Sequence, residues 1–281
     1  MRLRITTYFK QWVTNNPSSS RDAKKGLMGF PLDIGYAYLP HPEKADIGGE
    51  DAFAVSYRSL DATYLIGVSD GVGSWLSKRG VSAGPFANDL MLHSEKVFSE
   101  GADSPMLILE DAYEMTDNVG SATAILGVLN PELWGYRVEI VYLGDSSFLV
   151  IRDGNIVLQP VEQEVAFNRP FQLGKLAGGL TYAQEPSDAE KFGFNMEEDE
   201  LIIFGTDGLF DNLFEADILK IVDEDPNADA SDIASLLAYS AIERGESADT
   251  SPFEVNSEEH GYAHKGGKID DTTVIVVKKE R

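Results

Sequence analysis

Apolar residues run in short blocks along most of the chain, and glycine and acidic residues separate them. The blocks at 52–57, 64–69, 122–129, 138–143, 148–152, 201–205 and 273–277 have the length and the β-branched or aromatic content of strands. Asp153-Gly154, between two such blocks, predicts a tight hairpin turn with positive φ at its central residues. Elsewhere apolar positions recur every three or four residues. The segment 86–98, with Phe86, Leu90, Met91 and Val97 in phase, predicts a helix, as do 214–222 and 233–242. Asn212 with Glu215 three residues on reads as a capping box opening the second of these. Strands and helices come in groups rather than in strict alternation. That order predicts an α+β domain with mostly antiparallel strands, not a parallel doubly wound sheet.

The length of 281 residues allows one large domain or two small ones, and from Gly29 onward no long linker or repeat divides the chain. A hydrophobic fraction of 43% is enough for a full core and excludes a wholly disordered chain. The absence of cysteine removes a disulfide scaffold, a thiolate nucleophile and a Cys-ligated metal site. No apolar run reaches the roughly 18 residues that a membrane helix needs. A net charge of −24 argues against a general nucleic-acid binder, because a phosphate backbone wants clustered Lys and Arg. Residues 1–25 break that acidity: Arg2, Arg4, Lys10, Arg21, Lys24 and Lys25 face one acid, Asp22. Ile5, Tyr8, Phe9 and Trp12 fall on one side at helical spacing. A basic, amphipathic, acid-poor leader has the composition of an organelle transit segment, expected over 1–28. A basic tail, or a first helix packed on the domain, would have similar composition.

The candidate chemistry lies in carboxylates beside glycine at the ends of apolar blocks. Glu50-Asp51 follows Gly48-Gly49 and leads into a strand, and Asp70-Gly71 closes one. Asp145 closes a third block, Asp207-Gly208 a fourth with Asp211 one turn on, and Asp270-Asp271 precedes the last. A strand end is a rigid support, and the adjacent glycine lets the backbone turn or approach a ligand closely. Gathered together, such carboxylates would repel one another without a cation between them, and hard oxygen donors suit Mg²⁺, Mn²⁺ or Ca²⁺. Taken singly, an Asp-Gly pair after a strand is usually a turn. The acidic run at Asp223 lacks the glycine and the twelfth-position Glu of a calcium loop. His41, His93, His260 and His264 show no paired ligand spacing, and Ser69, Ser146 and Ser147 lack the Gly-x-Ser-x-Gly elbow of a hydrolase nucleophile.

The ordered set of Gly49-Glu50-Asp51-Ala52-Phe53, Val68-Ser69-Asp70-Gly71-Val72-Gly73, Gly120-Ser121-Ala122-Thr123-Ala124, Leu143-Gly144-Asp145-Ser146-Ser147, Thr206-Asp207-Gly208-Leu209-Phe210-Asp211-Asn212 and Asp270-Asp271-Thr272-Thr273-Val274 resembles the metal-dependent PP2C-type (PPM) Ser/Thr protein phosphatases. His41-Pro42-Glu43-Lys44, Gly71-Val72-Gly73-Ser74-Trp75 and Gly80-Val81-Ser82-Ala83-Gly84 look most like the PTC7-like branch, whose members are typically organellar. The resemblance implies an αββα sandwich over 29–281. It also implies hydrolysis of phosphoserine and phosphothreonine in protein substrates by a hydroxide held between two Mg²⁺ or Mn²⁺ ions. Carried over, Asp70 would bridge both ions, Gly71 would offer its carbonyl, and Asp207 and Asp270 would complete the shell. Glu50 and Asp51 would act through water, and Asp145 matches a possible third, weaker site. A monomer without nucleic-acid or integral-membrane partners is expected, in the mitochondrial matrix, with plastid or cytoplasm as alternatives. Two positions depart from the pattern. The stretch Asp46-Ile47-Gly48-Gly49 has no phosphate-gripping Arg, and Val72 stands where a general-acid His is usual. Lys44, Arg58 and Lys78 are candidate phosphate contacts, although each reads first as a solvated surface charge. A catalytically weak phosphoprotein-binding relative is the alternative, and a divalent-cation buffer a third.

Overall fold

The computed structural model describes residues 32–178, 180–181 and 183–279; the transit segment expected over 1–28 lies outside the described residues. In chain order the strands and helices are β1 (Leu32–Leu39), β2 (Ala52–Arg58), β3 (Thr63–Ser69), α1 (Ser74–Arg79), α2 (Gly84–Ser99), α3 (Pro105–Met115), β4 (Gly120–Ala122), β5 (Ala124–Glu132) and β6 (Gly135–Leu143). They continue with β7 (Ser147–Arg152), β8 (Asn155–Leu158), β9 (Glu164–Ala166), β10 (Arg169–Pro170), β11 (Leu173–Lys175), β12 (Glu190–Met196) and β13 (Leu201–Gly205). The last elements are α4 (Asp207–Phe210), α5 (Glu215–Glu224), α6 (Ala230–Gly245), α7 (Pro252–Glu259) and β14 (Thr272–Lys279).

Two five-stranded antiparallel sheets, in the orders β1-β14-β13-β7-β8 and β12-β6-β5-β3-β2, carry the architecture. Their facing sides interdigitate Ile66, Val68, Ile125, Ile140 and Tyr142 with Phe148, Val150, Ile202, Phe204 and Ile275. The outer side of the second sheet presents Leu65, Leu126 and Val141 to α2 and α3, through Phe86, Leu90, Ile108 and Leu109. The outer side of the first sheet presents Leu149, Ile203, Val274 and Val276 to α5 and α6, through Ile218, Ile233, Leu237 and Ala241. The result is the four-layer αββα sandwich that the resemblance implies. A strand with one side on a sheet and the other on a helix has no solvent face, which is why every residue of β3 and of β13 is buried and both read as unbroken apolar runs. Phe204 is fully buried at the sheet interface; its truncation to alanine would cost about 3–5 kcal/mol.

The differences from the sequence reading sit at the margins. Edge strands β1 and β12 are not predicted: β12 mixes polar and apolar residues because alternate positions are exposed, and β1, with no exposed residue, is interrupted by Asp33 and Gly35. Four helices also go unpredicted: the short α1 and α4, and α3 and α7, each of which begins on a proline, whose fixed φ suits a first turn. The run at 122–129 breaks at Thr123, between β4 and β5, where the side chain turns to the Asp70 amide and the Ser146 hydroxyl. The capping box at Asn212 is corrected. Phe214 is the N-cap of α5, and Asp217 accepts from its amide at 3.3 Å. Asn212 instead bonds the carbonyl of Lys268, because a distant loop packs there. The hairpin at Asp153-Gly154 forms as expected, with φ of 50° and 71°.

Candidate active site

Five strand ends open on the same edge of the sandwich. Asp70 leaves β3, Asp145 follows β6, Asp207 opens α4 directly after β13, Asp270-Asp271 precede β14, and Glu50-Asp51 precede β2. Antiparallel register makes this possible: Ala52 pairs with Ser69, Gly205 with Ser147 and Val274, and Ala124 with Leu143. Close backbone approaches tighten the edge. A Cβ on Gly71 would stand 2.5 Å from the Glu50 carbonyl oxygen, and one on Gly208 would stand 2.1 Å from that of Asp271, so neither position accepts a side chain.

The carboxylates divide by what satisfies them. Glu50 is fully buried; its Oε1 accepts from the Ser82 hydroxyl at 3.0 Å and the Ala83 amide at 2.8 Å, and its Oε2 pairs with Lys44 Nζ at 3.0 Å. Asp271 accepts from the His41 amide, the Glu50 amide and Lys44 Nζ, so it ties the loop before β2 to the start of β14. It is a structural partner of the Asp270 beside it. Asp51 Oδ2 accepts from Thr206 and Thr273 hydroxyls at 2.9 and 2.8 Å, but its Oδ1 has no hydrogen-bond partner. The Oδ1 atoms of Asp145 and Asp207 are likewise buried and unpartnered. An orphaned carboxylate oxygen away from water is costly unless a cation meets it.

Electrostatics identify the same group. Burial pushes Asp70 well above the usual carboxylate range, and the charges of Asp207, Asp51, Asp270 and Asp145 push it further. Burial also raises Asp51, with Asp271, Asp270 and Asp207 adding to it. Asp145 rises through burial and Asp207, although Lys268 opposes. Asp270 rises through burial and Asp207, against Lys268 and Lys44. Asp207 goes the other way: burial acts upward, but Lys268 and a contact with Asp70 carry it below the ordinary value. Mutually raised carboxylates in one place are a candidate site with a stated physical cause.

Two lysines enter this acidic ground. Lys44 Nζ lies 3.0 Å from Glu50, 3.0 Å from Asp271 and 3.7 Å from Asp270. Lys268 Nζ lies 2.5 Å from Asp207, 2.7 Å from Asp211 and 3.5 Å from Asp270. Of the three cations considered from the sequence, Lys44 is the one at the site. Arg58 lies at the far end of β2, holding Asp61 and the carbonyls of Phe98 and Ala102, and Lys78 is exposed on α1. Lys268 was not singled out in the sequence; its only signal there is its place two residues before Asp270. Val72 sits beside Asp70, its amide donating to the Ser121 carbonyl at 2.9 Å, and offers no proton.

Among the described residues, no three His, Cys, Asp or Glu side chains are already arranged around one point as metal ligands. The donor set nonetheless fits a hard dication in its chemistry: all-oxygen ligands, three of them with buried and unanswered atoms, on rigid strand ends. Asp70, Asp207 and Asp270 would supply charged ligands, the Gly71 carbonyl a neutral one, and Glu50, Asp51 and Asp145 the surrounding acceptors.

The comparisons point the same way. No family model matches the chain. A protein described as probable protein phosphatase 2C 80 from Arabidopsis thaliana is 36% identical over 260 residues, covering 89% of this chain and 59% of the relative. Probable protein phosphatase 2C 1 from Oryza sativa subsp. japonica is 36% identical, covering 88% of this chain and 75% of the relative. The chain thus spans little more than half the length of several curated relatives that it matches. Among solved structures, the photosystem II phosphatase PBCP superposes with a TM-score of 0.78 at 33% identity, covering 89% of this chain and 99% of that one. The catalytic domain of the serine threonine protein phosphatase PstP, solved with two manganese ions, shares the fold at a TM-score of 0.56 and 14% identity, covering 88% of this chain and 97% of that one. With a protein phosphatase 2C relative 36% identical and covered over 75% of its length, and a phosphatase structure superposing at 33% identity over 89% of this chain, the chain belongs to the protein phosphatase 2C family.

Proposed function

We propose that the protein hydrolyses phosphoserine and phosphothreonine in protein substrates at this carboxylate edge, using two Mg²⁺ or Mn²⁺ ions. The observation that carries the reading is the convergence of Asp70, Asp207 and Asp270 with the unanswered oxygens of Asp51, Asp145 and Asp207. Bound there, the ions would supply an activated water and neutralise charge on the phosphoryl group. Asp70, which feels the charges of Asp207, Asp51 and Asp270, would hold the ions together with Asp207 and Asp270. Glu50, locked by Ser82 and Ala83, and Asp51, locked by Thr206 and Thr273, fix acceptors for ordered water. Lys44, held by Glu50, Asp271 and Asp270, ties the loop before β2 to the start of β14 and neutralises part of the acidic edge. Its ammonium is strongly held: burial disfavours the charge, but Asp270 and Asp271 outweigh it and raise its pKa. With Val72 beside Asp70, protonation of the leaving alcohol falls to solvent.

The test is manganese-dependent release of phosphate from a phosphoserine peptide and from p-nitrophenyl phosphate. Turnover that is unchanged by chelation would sink the metal-dependent reading. The alternative of a silent phosphoprotein binder gains only from the absent Arg and His, whereas every acidic position of the set is present.

The sequence likeness in 41–44, 71–75 and 80–84 supports placement in the PTC7-like branch. The charge reversal between residues 1–25 and the rest supports a leader over 1–28 and a phosphatase domain over 29–281. Import into the mitochondrial matrix is the location we favour, with plastid as the alternative that the photosystem II relative suggests. Deleting residues 1–25 should leave metal-dependent activity nearly intact, since every proposed ligand lies at or after Glu50. It should also move a fluorescent fusion from an organelle to the cytosol. A full-length fusion already diffuse in the cytosol would overturn the location.

A further inference from the structure

Lys268 is the most tightly surrounded ammonium among the described residues, and its surroundings form a second cluster beside the proposed metal ligands. Its three N–H bonds face three carboxylates: Asp207 at 2.5 Å, Asp211 at 2.7 Å and Asp270 at 3.5 Å. Asp145, with its buried unpartnered Oδ1, lines the same small cavity as Asp207 and Asp211. The backbone around Lys268 is pinned rather than loose. Its amide donates to Asn212 Oδ1 at 2.9 Å, and Asn212 Nδ2 donates back to its carbonyl at 2.7 Å. One residue earlier, Gly267 donates to the Ser247 carbonyl, and the Gly266 amide is held by the Glu254 carboxylate at 2.9 Å. The ring of Phe253 covers the ammonium at 5.1 Å. What space is left in the cavity is about 10 Å³, no more than one water molecule needs.

We propose that Lys268 is a tethered cation that takes the place of a divalent ion among Asp145, Asp211 and the Oδ2 side of Asp207, leaving the unpartnered Asp207 Oδ1 to the inner carboxylates. This chain would then bind divalent metal only among the inner carboxylates around Asp70. The inference rests on the reading of those inner residues as metal ligands. The charge argument is simple. Three close carboxylates need positive charge, and an ammonium on a pinned backbone supplies it at no cost in free ion, whereas a dication must be drawn from solution and partly dehydrated. With its Nζ bonded to Asp207 and Asp211 and paired with Asp270 at 3.5 Å, Lys268 turns its ammonium to carboxylates and not to a substrate phosphate. It therefore acts as a positioning residue that orients Asp207, and it differs in this from a catalytic residue.

The experiment counts ions. Full-length protein stripped with chelator is titrated with Mn²⁺ by calorimetry, and bound manganese is measured after equilibrium dialysis. The proposal expects Lys268→Met to bind one more Mn²⁺ per chain than wild type, Lys268→Arg to bind the wild-type number, and Lys268→Met with Asp145→Asn to lose the added ion. Lys268→Met with the wild-type count overturns the proposal. Should Lys268→Met fail to give a cooperative thermal transition, Asp211→Asn decides alone: an unchanged count supports the tethered cation, and one ion fewer shows that the outer cluster holds metal already. The count for wild type separates the two readings. Two ions in wild type and no gain in the variant removes only this inference, whereas no ion in either removes the metal-dependent function with it.

Discussion

The first sheet carries an acidic cleft at each end. At the Leu201 end of β13, a cavity of about 570 Å³ is lined by Asp33, Asp153, Asp199, Asp223, Asp225 and Asp229. At the Gly205 end, Asp145, Asp207 and Asp211 line a cavity of about 10 Å³. By size and by number of carboxylates the first would be chosen, yet its acids already have local tasks. Asp229 caps α6 through the Asp232 amide, Asp33 accepts from the Ala230 amide, and Asp225 accepts from the Asn227 amide in the turn before. Except for Asp33, the six are exposed, so water meets their remaining lone pairs. The second cleft holds buried carboxylates: Asp145 and Asp207 each keep an unanswered oxygen, and burial, with the charge of Asp207, raises Asp145 and Asp211 against the pull of Lys268. A site is marked by polar groups whose desolvation is not compensated within the protein, and neither volume nor acid count reports that.

The largest expected effect sets the two ends directly against each other. Asp70→Asn or Asp207→Asn should lower kcat by at least about a hundredfold, because one ligand change costs several kcal/mol at the transition state and each 1.36 kcal/mol is tenfold. Folding should survive, since fewer clustered charges repel in the metal-free state. Asp153→Asn or Asp225→Asn, in the larger cleft, should leave kcat within about twofold. Steady-state kinetics with saturating Mn²⁺ would break the comparison if the two pairs behaved alike.

Next in size is the leaving-group step. With Val72 in place of an imidazole, a phosphoserine peptide should suffer more than p-nitrophenyl phosphate, whose phenolate leaves with little protonation. Val72→His should narrow the ratio of the two kcat/KM values by about tenfold, less than the roughly hundredfold or more of a fully positioned general acid, because no neighbouring group orients the new imidazole. An equal change for both substrates would place the proton elsewhere.

A smaller effect tests the other end as architecture. Asp229→Ala removes the side-chain cap of α6 and should cost about 1 kcal/mol in urea unfolding while kcat/KM stays unchanged. Loss of activity out of proportion to stability would show that the large cleft communicates with the chemistry.

The smallest concerns a carboxylate near the active end that is nonetheless structural. Glu254 is held below its ordinary value first by its hydrogen bond to Lys265, then by the Gly266 amide. A group whose folded pKa is depressed stabilises the fold above its unfolded value, 4.5, and that contribution is lost as pH falls through the folded value. Glu254→Gln should therefore lower Tm by a few degrees at pH 7, and the gap from wild type should shrink steadily below about pH 4.5. A gap that does not change with pH would show that shape, and not charge, holds the 264–267 loop.

The amino-acid sequence by itself determined the chemistry-bearing positions of this protein. Asp70, Asp145, Asp207 and Asp270 are visible because each stands at one end of an apolar block with a local signature, and strand-end placement is a property of a few adjacent residues. The central strands were legible for a related reason: buried on both sides, they are continuous apolar runs. Tertiary structure alone decided the rest. Edge strand β12 lacks that continuity because alternate residues meet solvent, and β1 because Asp33, which accepts from the Ala230 amide, and Gly35, close against the Ser231 backbone, interrupt it, so only pairing to β6 and β14 defines them. Asp271 is indistinguishable in sequence from Asp270 until the loop carrying His41 and Lys44, some 230 positions earlier, closes on it. Asn212 became a clamp for Lys268 rather than a helix cap, across 56 positions. Lys268 itself gave no pattern at all, because an ammonium gains its meaning from carboxylates that reach it through space, and no spacing along the chain encodes a contact between segments that meet only when both sheets have formed.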